Sequence, residues 1–562
     1  MKVLIVGGVA GGASAAARLR RLDEKAEIIM FERGEFISFA NCGLPYYIGG
    51  EISKKSDLIL QTPGQFRARF NVDVRNFTEV ISINKDEKTV TAKNLKTGEQ
   101  YTESYDKLIL AMGAEPVKPD IKGIDNSRVF TIRNVPDTVR VRDYIDEEFP
   151  ESAVVVGGGY IGIEMAENLK LAGLDVTIVE LSDHLISPLD VEMAADVHRY
   201  IRDKGIKLIL SNGVKEIQEA GDKLIAKLKD GQVEADMIIM AVGVRPETDL
   251  AKAAGVEVNA KGSIIVNEHM ETSEKDIYAV GDAVEVRHFV TGRKAFIPLA
   301  GPANKQGRIA ADNISGIKSK FKGSQGSSIL KIFDMTVAMT GINERTAEAL
   351  GLNYDKVYTY SPSHATYYPG ARNMSIKTIF EKDTGRILGA QIVGFDGVDK
   401  RCDVLATAIR AGMTGFDLAE LELCYAPPFS SAKDPVNMVG FVIENTIKGL
   451  VKNFHWHDVE KLPRDGSVTL LDVRTPAEVA RGKIDGFINI PLDNLRESID
   501  KLDKSKPVYV HCHSGLRSYI ACRILMGHGF DAYNLSGGYR LYESIMSDRQ
   551  FPEYGCNECK SV

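Results

Sequence analysis

A strand, a glycine-rich turn, a helix, a second strand and a carboxylate follow one another near the start of this 562-residue chain. The strand spans 2–6, the turn spans 7–12, the helix runs to about Leu22, and the second strand, 27–31, ends at Glu32. Such a unit binds a dinucleotide. Its glycines let the backbone approach a pyrophosphate at the helix N-terminus, and its acid binds a ribose hydroxyl.

The same order of elements recurs about 150 residues later. A strand at 153–156 leads into the turn 157–162, a helix runs to about Ala172, and a strand at 175–179 ends at Glu180. One glycine motif alone is weak evidence, but two copies in one chain strongly predict two nucleotide-binding domains. The predicted contacts are Gly7, Ala10, Gly11, Gly12 and Glu32 in the first copy, and Gly157, Gly159, Gly162 and Glu180 in the second.

Differences between the copies bear on their ligands. The first copy has Val9 where the second has Gly159. Two dinucleotides on one chain imply FAD and a nicotinamide nucleotide. Glu180 is followed by residues 181–183, Leu-Ser-Asp, which offer no Arg or Lys to a 2′-phosphate. The sequence therefore favours NADH over NADPH.

Composition narrows the class of protein. The net charge is −7 with no basic block, so nucleic-acid binding is not indicated. No apolar run reaches the ~18 residues that span a bilayer, and residues 2–7 begin as a strand rather than as a secretory signal. Seven mostly unclustered cysteines suit a reducing compartment. We therefore expect a cytoplasmic protein without a membrane partner.

Cys42 has the setting of a redox cysteine, in the segment 38–45, Ser-Phe-Ala-Asn-Cys-Gly-Leu-Pro. Ile37 and Tyr47 occupy the positions where a Cys-x4-Cys pair would place a partner. A lone cysteine must form a mixed disulfide with its substrate, or pass through a persulfide or sulfenic acid. Residues 43–45 predict a helix start, whose N-terminus should stabilise a thiolate.

Cys512 follows an apolar strand, 507–510, and begins a Cys-x4-Arg loop that ends at Arg517. The N–H groups of such a loop point inward and stabilise an anion. Tyrosine phosphatases have a loop one residue longer, so the shorter loop favours sulfur transfer. We expect Arg517 and the loop amides to keep the Cys512 thiolate ionised, and Arg474 to brace the fold.

The remaining cysteines have weaker signals. Cys556 and Cys559 form a C-x-x-C with no second ligand pair nearby, so a zinc site is not predicted. The alternatives are a thiol pair that accepts sulfur from Cys512 and a disordered tail. Packing positions are predicted for Cys402, Cys424 and Cys522.

Segments 105–114 and 276–283 resemble those of flavoproteins with two dinucleotide-binding domains, whose glutathione-reductase-like members are reductases. The resemblance implies a discontinuous FAD domain, 1–112 and 237–318, with an NADH domain, 113–236, inserted. It also implies that Asp282 holds the flavin ribityl chain. Further implied cofactor contacts are Arg33, Ala111, Gly113, Gly243 and Ala300.

The first ~445 residues resemble coenzyme A-disulfide reductases and the related NADH oxidases and peroxidases, through Ser-Phe-x-x-Cys-Gly-x-Pro around Cys42. The resemblance implies that Tyr367 and Tyr425 lie near the partner subunit's cysteine, where each phenol would hydrogen-bond or protonate a leaving thiolate. Implied coenzyme A contacts are Ser14, Arg18 and Arg21, which share one helical face, with Ser38, Asn41 and Lys433. One basic position of the family is Phe70 here.

The rest of the chain also resembles known domains. Residues 319–447, with a predicted hairpin of strands 376–380 and 387–394 and helices at 398–413 and 436–448, resemble the dimerisation domain of that family, which implies a homodimer. A linker is predicted at 448–462. A rhodanese domain, 463–555, and a tail, 556–562, are predicted after it.

The expected fold class is α/β: two Rossmann-like nucleotide-binding domains, an α+β dimerisation domain and an α/β rhodanese domain. The expected activity is NADH-dependent, FAD-mediated reduction of coenzyme A disulfide, coenzyme A persulfide or polysulfide at Cys42. Cys512 would deliver sulfane sulfur, and coenzyme A would be a bound substrate or prosthetic group. Two alternatives are an NADH oxidase or peroxidase that uses a Cys42 sulfenic acid, and a sulfur-carrier or redox-sensing flavoprotein. No metal site is expected.

Overall fold

The computed structural model describes residues 1–551 and divides into two units. The first comprises Met1–Leu181 and Asn212–Gly326, and the second comprises Ser182–Ser211 and the chain from Ser327 onward. Both units contain helices and strands, and each includes a parallel sheet, as expected for an α/β protein. Among the described residues, no helix is both long enough and apolar enough to cross a bilayer.

The elements of the first unit are β1 (Lys2–Val6), α1 (Ala10–Leu22), β2 (Glu27–Phe31), α2 (Leu44–Ile48), α3 (Pro63–Phe70), β3 (Asp73–Arg75), β4 (Thr78–Asn84), β5 (Thr89–Asn94), β6 (Gln100–Ser104), β7 (Lys107–Leu110), β8 (Ala114–Pro116), β9 (Val129–Phe130), α4 (Val135–Glu148), β10 (Ser152–Val156), α5 (Tyr160–Leu171), β11 (Asp175–Val179), β13 (Val214–Ala220), β14 (Lys223–Leu228), β15 (Gln232–Ala235), β16 (Met237–Met240), β17 (Val244–Pro246), α7 (Asp249–Ala253), β18 (Ile277–Ala279), β19 (Val286–Arg287), β20 (Lys294–Ala295) and α8 (Ala300–Ile314).

The elements of the second unit are α6 (Val191–Asp203), β12 (Lys207–Ile209), β21 (Ser328–Ile332), β22 (Met335–Gly341), α9 (Glu344–Ala349), β23 (Tyr354–Pro362), β24 (Asn373–Glu381), β25 (Ile387–Gly394), α10 (Val398–Ala411), α11 (Gly415–Glu420), α12 (Pro435–Ile447), β26 (Lys452–Phe454), β27 (Thr469–Asp472), α13 (Pro476–Val479), β28 (Ile488–Asn489), β29 (Val508–His511), α14 (Leu516–Gly527), β30 (Ala532–Leu535) and α15 (Gly538–Arg549).

A parallel sheet of order β18-β7-β1-β2-β3 lies at the centre of the first nucleotide-binding region. Its central strand is buried on both faces. Val3 and Ile5 pack into one hydrophobic core with helix α1, and Leu4 and Val6 pack into a second core on the other face. Alternation of the side chains across a doubly covered strand explains the uninterrupted apolar run at 2–6.

A second parallel arrangement, β11-β10-β16-β9, carries the second nucleotide-binding unit. Strand β16 (Met237–Met240) pairs in parallel with β10, although residue 237 was predicted to begin the return to the FAD domain. That boundary is therefore later than predicted. The four residues of strand β16 are buried, and this strand pairs with β10 in the second sheet. The chain returns through β17, which pairs antiparallel with β8.

The second unit contains an antiparallel sheet of order β21-β22-β25-β24-β23. The predicted hairpin is confirmed as β24 and β25, and Gly385 in its turn has a φ of +76°. The two predicted helices are also confirmed, as α10 and α12. Gly385 adopts the left-handed conformation that a residue with a Cβ rarely accepts.

A parallel sheet of order β26-β30-β29-β27-β28 forms the C-terminal domain of the second unit. Strand β26 (Lys452–Phe454) lies within the predicted linker 448–462, yet it pairs with β30 as an edge strand. This segment is therefore part of the domain rather than a linker. Phe454 is buried with Leu535 in the same core, which accounts for the placement of the strand.

Candidate functional site

The first glycine turn has the close backbone geometry that a dinucleotide requires. Gly7 has a φ of +103°, and a Cβ there would lie 2.2 Å from the carbonyl oxygen of Ala111. A Cβ on Gly12 would lie 1.9 Å from the carbonyl oxygen of Gly7. The backbone N–H of Gly8 donates to Glu32 at 2.9 Å. Only glycine is compatible with these contacts, so the turn fits the predicted FAD contact.

The second turn repeats this geometry. Gly157 has a φ of +107°, and a Cβ on Gly162 would lie 2.0 Å from the carbonyl oxygen of Gly157. The backbone N–H of Gly158 donates to Glu180 at 2.5 Å. Gly159, at the N-terminus of α5, has no atom within 4 Å of where a Cβ would be. Open space at a helix N-terminus fits a pyrophosphate, and so the residues present fit a nicotinamide dinucleotide.

Asp282 lies in a short 3-10 turn directly after strand β18. Burial raises the pKa of its carboxyl group to about 6. The backbone N–H of the preceding Gly281 donates to Gln306 at 2.7 Å, which holds the turn in place. A carboxylate buried in this way gains from hydroxyl donors, and the hydroxyls of a ribityl chain are such donors.

The other cofactor residues implied by the resemblance occupy varied positions. The guanidinium of Arg33 binds the carboxylate of Glu247 at 2.5 and 2.9 Å. The N–H of Ala111 donates to the carbonyl of Val6 at 2.8 Å. Gly113 and Gly243 both have positive φ with open space at the Cβ position, and Ala300 begins helix α8. Their contact with a cofactor stays a prediction.

Cys42 lies in the 3-10 turn Asn41–Gly43, and helix α2 begins directly after it, as predicted. Its side chain is exposed. The predicted stabilisation of the thiolate is not found, because desolvation, then Glu164 and then Asp282 raise the pKa of the Cys42 thiol. Desolvation and negative charge together disfavour a thiolate more than a five-residue helix favours it. The charge of Asp282, the predicted flavin carboxylate, therefore acts on Cys42.

Glu164 is a residue that the sequence interpretation missed. It lies on α5, the helix of the second nucleotide unit, and burial raises the pKa of its carboxyl group to about 7. The hydroxyl of Tyr46 donates to Glu164 at 3.4 Å. A signal was present in the sequence, since Glu164 and Glu167 interrupt an otherwise apolar helix start. Glu164 and Asp282 are thus the two carboxylates whose charge acts on Cys42, and their contact with a flavin or nicotinamide stays a prediction.

The predicted coenzyme A face on helix α1 is present, but two of its members already have partners. The hydroxyl of Ser14 donates to Asn304 at 2.5 Å, and the guanidinium of Arg18 binds Asp312 at 2.7 Å. Arg21 is exposed. Asp312 offsets the charge of Arg18, so Arg21 is the more available cation. Of the other predicted contacts, Ser38 has a φ of +46°, and Asn41 and Lys433 are exposed.

Tyr367 and Tyr425, which the resemblance implies as a catalytic pair, are joined in the second unit. Their hydroxyl oxygens lie 2.8 Å apart. Both side chains are exposed, Tyr367 by 74% and Tyr425 by 47%. The hydrogen bond to Tyr425 raises the pKa of Tyr367. An exposed pair of phenols is a hydrogen-bond donor set directed to solvent or to a second molecule.

The Cys512 loop has the predicted anion-binding form. The buried Sγ accepts hydrogen bonds from the N–H of Gly515 at 3.1 Å and from the hydroxyl of Ser518 at 3.3 Å. Arg517 binds Glu478 through its two terminal nitrogens at 2.5 and 2.8 Å, and Glu478 first and the charge of Cys512 after it raise the pKa of Arg517. Its hydrogen bonds therefore go to a carboxylate instead of the thiolate. The signal for Glu478 was the capping box Thr475-x-x-Glu478.

Arg474 braces the C-terminal domain as predicted, since its buried guanidinium binds Asp472 at 2.8 Å and the carbonyl of Gly482 at 2.9 Å. Cys402 and Cys522 are buried, as expected of packing residues. The prediction for Cys424 was wrong, because its side chain is exposed in the loop before Tyr425. The predicted C-x-x-C pair, Cys556 and Cys559, lies outside the described residues.

Three carboxylates that come close enough to hold a metal belong to Asp190, Glu192 and Glu344. The ammonium of Lys377 already binds all three, at 2.7, 2.5 and 2.6 Å respectively. Lys377 is completely buried, and the three carboxylates neutralise its charge. The ammonium therefore occupies the position that a metal ion would need among these carboxylates.

Comparison with protein-family models agrees with the fold. The pyridine nucleotide-disulphide oxidoreductase model matches residues 1–307, and the dimerisation-domain model of the same family matches residues 327–435. The rhodanese-like domain model matches residues 455–544. The three matches follow the order of domains expected from the sequence.

Two curated relatives cover most of the chain. A coenzyme A disulfide reductase of Staphylococcus haemolyticus is 38% identical over 441 residues, which are 78% of this chain and 98% of the relative. An NADH oxidase of Methanocaldococcus jannaschii is 37% identical over 452 residues, 80% of this chain and 99% of the relative. Both alignments are too short to cover the whole chain, since each leaves about a fifth of it unmatched.

Two solved structures extend over nearly the whole chain. Reduced CoADR-RHD of Bacillus anthracis is 51% identical with a TM-score of 0.95, and the match covers 98% of each chain. An NAD-dependent persulfide reductase from A. fulgidus is 39% identical with a TM-score of 0.90, and the match covers 96% of this chain and 100% of the other. The matched length therefore includes both units of this chain.

Proposed function

Because this chain belongs to the pyridine nucleotide-disulphide oxidoreductase family, we propose that it is an NADH-dependent reductase of coenzyme A disulfide, coenzyme A persulfide or polysulfide. One observation supports the proposal: the same chain has a lone Cys42 whose pKa responds to the charge of Asp282, and a Cys512 whose Sγ accepts a hydrogen bond from a loop amide. The names of its relatives, a coenzyme A disulfide reductase and a persulfide reductase, match these two chemistries.

The family binds FAD and NAD(H), and the two glycine turns fit them. The turn at Gly7, with Glu32 and Asp282, would hold FAD, and the turn at Gly157, with Glu180, would hold NADH. When bound, FAD supplies the two-electron relay between the nicotinamide and sulfur. Glu180 binds the turn through Gly158, and no cation follows it in the sequence, which favours NADH over NADPH.

Cys42 would carry out the sulfur chemistry. Its thiolate attacks the sulfur–sulfur bond of the acceptor, forms a new disulfide or trisulfide bond to Cys42, and releases a thiolate or hydrosulfide as leaving group. Two electrons and two protons then cleave the bond to Cys42 and release the Cys42 thiol and the second thiol or hydrogen sulfide. Since the neighbouring Glu164 and Asp282 raise the pKa of this thiol, its reactivity depends on the charge of those carboxylates.

Cys512 would act before Cys42 in the same sequence. Its thiolate receives sulfane sulfur as a persulfide, which the amide of Gly515 and the hydroxyl of Ser518 stabilise. The sulfur then passes to coenzyme A, either a diffusing substrate or a retained prosthetic group, and reaches Cys42 as coenzyme A persulfide. Ser14, Arg18, Arg21, Ser38, Asn41 and Lys433 are the proposed coenzyme A contacts.

We propose a homodimer, supported by the matched dimerisation domain and by the exposed pair Tyr367 and Tyr425. In a dimer, these phenols would donate to the thiolate that leaves the partner's cysteine site. Free cysteines such as Cys42 and Cys512 are maintained in a reducing compartment, which supports a cytoplasmic location.

Anaerobic oxidation of NADH by the purified holoenzyme tests the proposal, with coenzyme A disulfide, coenzyme A persulfide and polysulfide as acceptors. Cys42→Ser should abolish turnover with all three. Cys512→Ser should lower turnover with polysulfide and leave coenzyme A disulfide reduction unchanged. Cys402→Ala, at a buried cysteine outside both sites, is the matched control and should retain all activities.

The principal alternative is an NADH oxidase, the printed name of one relative. Turnover that occurs only when oxygen or peroxide is admitted would establish it and refute the reductase. Slow turnover with every acceptor would instead favour a sulfur carrier or a redox sensor. Unchanged polysulfide turnover in Cys512→Ser would refute the relay alone.

A further inference from the structure

The hydrogen bonds that reach the Cys512 sulfur come from uncharged groups. The N–H of Gly515 and the hydroxyl of Ser518 are the donors found among the described residues. Neutral donors stabilise a singly charged thiolate or persulfide. They stabilise a dianion much less than a free guanidinium would, because a hydrogen bond to a charged donor is stronger. The charges around the loop therefore decide which sulfur donor can approach.

Arg517, the cation at the end of the loop, is occupied by a carboxylate. Both of its terminal nitrogens bind Glu478 in a two-point contact at 2.5 and 2.8 Å, and both side chains are half-buried. Glu478 offsets the charge of Arg517, and Thr475 fixes the carboxylate in place by donating to it at 2.9 Å. The pair resembles the fork geometry in which Arg is least available to another anion.

Two further arginines near the loop also have partners. Arg474 binds Asp472 and is buried. The guanidinium carbon of Arg540, whose backbone N–H donates to His513, lies 4.4 Å from the centroid of the Tyr360 ring. The positive charge of Arg474 is therefore offset by Asp472, and the guanidinium of Arg540 is held over the Tyr360 ring. Arg517 still attracts the Cys512 sulfur, and Glu478 offsets part of its positive charge.

The histidines on either side of Cys512 add no charge near neutral pH. Burial, with Arg474 as a further unfavourable charge, lowers the pKa of His511 to about 4, although Asp472 opposes the shift. Burial, followed by Arg540, lowers the pKa of His513. Both imidazoles are therefore neutral when the protein works near pH 7.

The surface beside the loop is apolar. Leu516 is 57% exposed and Ile520 is 38% exposed. They are four residues apart on helix α14, and so they share one face. Leu516 also directly follows Gly515, which bonds the sulfur. An uncharged organic chain attached to the sulfur can bury this apolar face, which favours its binding. A small inorganic dianion buries no apolar surface and so has no such binding free energy.

We propose that the Cys512 loop takes sulfur from an alkyl persulfide on an uncharged organic arm and discriminates against thiosulfate. We propose further that Glu478 sets this preference by occupying Arg517. The proposal rests on the proposed sulfur transfer by Cys512 and specifies its donor. In the favoured step, the Cys512 thiolate attacks the outer sulfur of R–S–SH, a Cys512 persulfide anion forms, and the thiol R–SH leaves. With thiosulfate, the same attack would release sulfite dianion.

Loading of Cys512 is measurable without NADH. The Cys42→Ser holoenzyme is used so that Cys512 is the site that is loaded. Pantetheine persulfide or thiosulfate is added, and cyanide then releases the transferred sulfur as thiocyanate, which is measured. We expect loading from pantetheine persulfide to be at least about tenfold faster, since a missing charge-assisted hydrogen bond costs about a factor of ten or more. Equal rates from both donors would overturn the proposal and leave the reductase assignment intact.

Glu478→Gln tests the assigned residue. Gln also completes a capping box, so the start of α13 is retained while the negative charge is removed. We expect thiosulfate loading to rise about tenfold and persulfide loading to change less than about twofold. Addition of Arg517→Gln should reverse the gain. Glu497→Gln removes an exposed charge from the same domain and should change neither rate.

Each remaining outcome is decisive. Equal thiosulfate rates in Glu478→Gln and Glu497→Gln would overturn the role of Glu478. Loss of loading from both donors, with circular dichroism unchanged, would show that Glu478 supports the loop instead of selecting the donor. If Glu478→Gln does not fold, the comparison of the two donors on the parent protein still decides the preference. No loading from any donor would refute the relay itself.

Discussion

Nδ1 of His198 lies 2.8 Å from a carboxylate oxygen of Asp548, and so helix α6 is joined to helix α15 of the C-terminal domain. The N–H of Leu185 donates to the other ring nitrogen at 3.0 Å. Since that nitrogen accepts, the imidazole is neutral and its proton is on Nδ1. Arg202 binds the second oxygen of Asp548 at 2.6 Å. The rhodanese domain is therefore held by a buried polar contact with specific geometry.

Asp548→Ala should destabilise this contact by about 3–5 kcal/mol, because it leaves buried partners without their carboxylate. Urea unfolding, with hydrogen exchange of residues 538–549, measures the loss. Asp531→Ala is the control. Asp531 forms an exposed pair with Lys452, and such pairs contribute about 0–1 kcal/mol. Equal losses in the two variants would contradict the structural role of Asp548.

His511 should make the C-terminal domain sensitive to acid. Its pKa is about 4 in the folded protein and about 6.5 in an unfolded chain, so the unfolded state binds the proton first as the pH falls. Stability is therefore complete above about pH 6.5 and decreases towards pH 4, by about 2 kcal/mol between pH 7 and pH 5.

Hydrogen exchange of strand β29 at pH 7 and pH 5 measures this dependence. His511→Gln removes the titrating ring and should reduce the loss of protection at pH 5. His528→Gln, at an exposed histidine of the same domain, should leave the loss as in the parent protein. The same loss in all three proteins would exclude His511 as its source.

Glu164→Gln should lower the pKa of the Cys42 thiol. Glu164 is the largest charge that raises this pKa, after desolvation, and Gln removes that charge. The rate of alkylation of Cys42 in the reduced holoenzyme, followed against pH, should have its midpoint at a lower pH. Glu151→Gln, at an exposed carboxylate of the same unit, should not move it. If the pH midpoint of Cys42 alkylation is also unchanged in Glu164→Gln, Glu164 does not raise the pKa of Cys42.

Asp282→Asn should reduce flavin content. A carboxylate can accept two or more hydrogen bonds from the hydroxyls of a ribityl chain, and an amide in its place accepts fewer. The ratio of flavin to protein absorbance after purification should fall several-fold if the ribityl chain depends on this carboxylate, since charged hydrogen bonds contribute about 1.5–3 kcal/mol. Asp249→Asn, at an exposed position in the same unit, should retain full flavin. Full flavin in both variants would contradict the assigned contact.

Tyr425→Phe should lower kcat with coenzyme A disulfide by about a hundredfold, the usual contribution of a general acid. It removes one phenol from the pair whose oxygens lie 2.8 Å apart. Tyr368→Phe, at the neighbouring phenol whose ring packs on His364 at 5.7 Å, should keep the parent rate. If both variants lose the same fraction of activity, the surface acts through packing and not through proton donation.

Several parts of the site could be predicted from the sequence because they depend on neighbouring residues. The turns at Gly7 and Gly157 require positive φ, and the helix after Cys42 follows from residues adjacent to it. The boundary at 237 could not be predicted, since a buried strand has the same apolar sequence pattern whichever sheet it joins. Pairing of Met237–Met240 with β10 decided it.

The sequence contained signals for Glu164 and Glu478 but did not show which residues they act on. Glu478 binds Arg517, which lies 39 residues later and was expected to keep the Cys512 thiolate ionised. The raised pKa of Cys42 comes from desolvation and from Glu164 on a different nucleotide-binding unit. These effects depend on which distant segments meet and on how much water they exclude, and neither property is encoded in local spacing.

The sequence by itself determined the conformations that a few consecutive residues impose: two nucleotide-binding turns, a lone cysteine before a helix and a cysteine loop that presents its amides. The tertiary structure alone decided the electrostatic setting of each cysteine. Backbone geometry is a local property, whereas desolvation and charge pairing act through space between segments that only folding brings together.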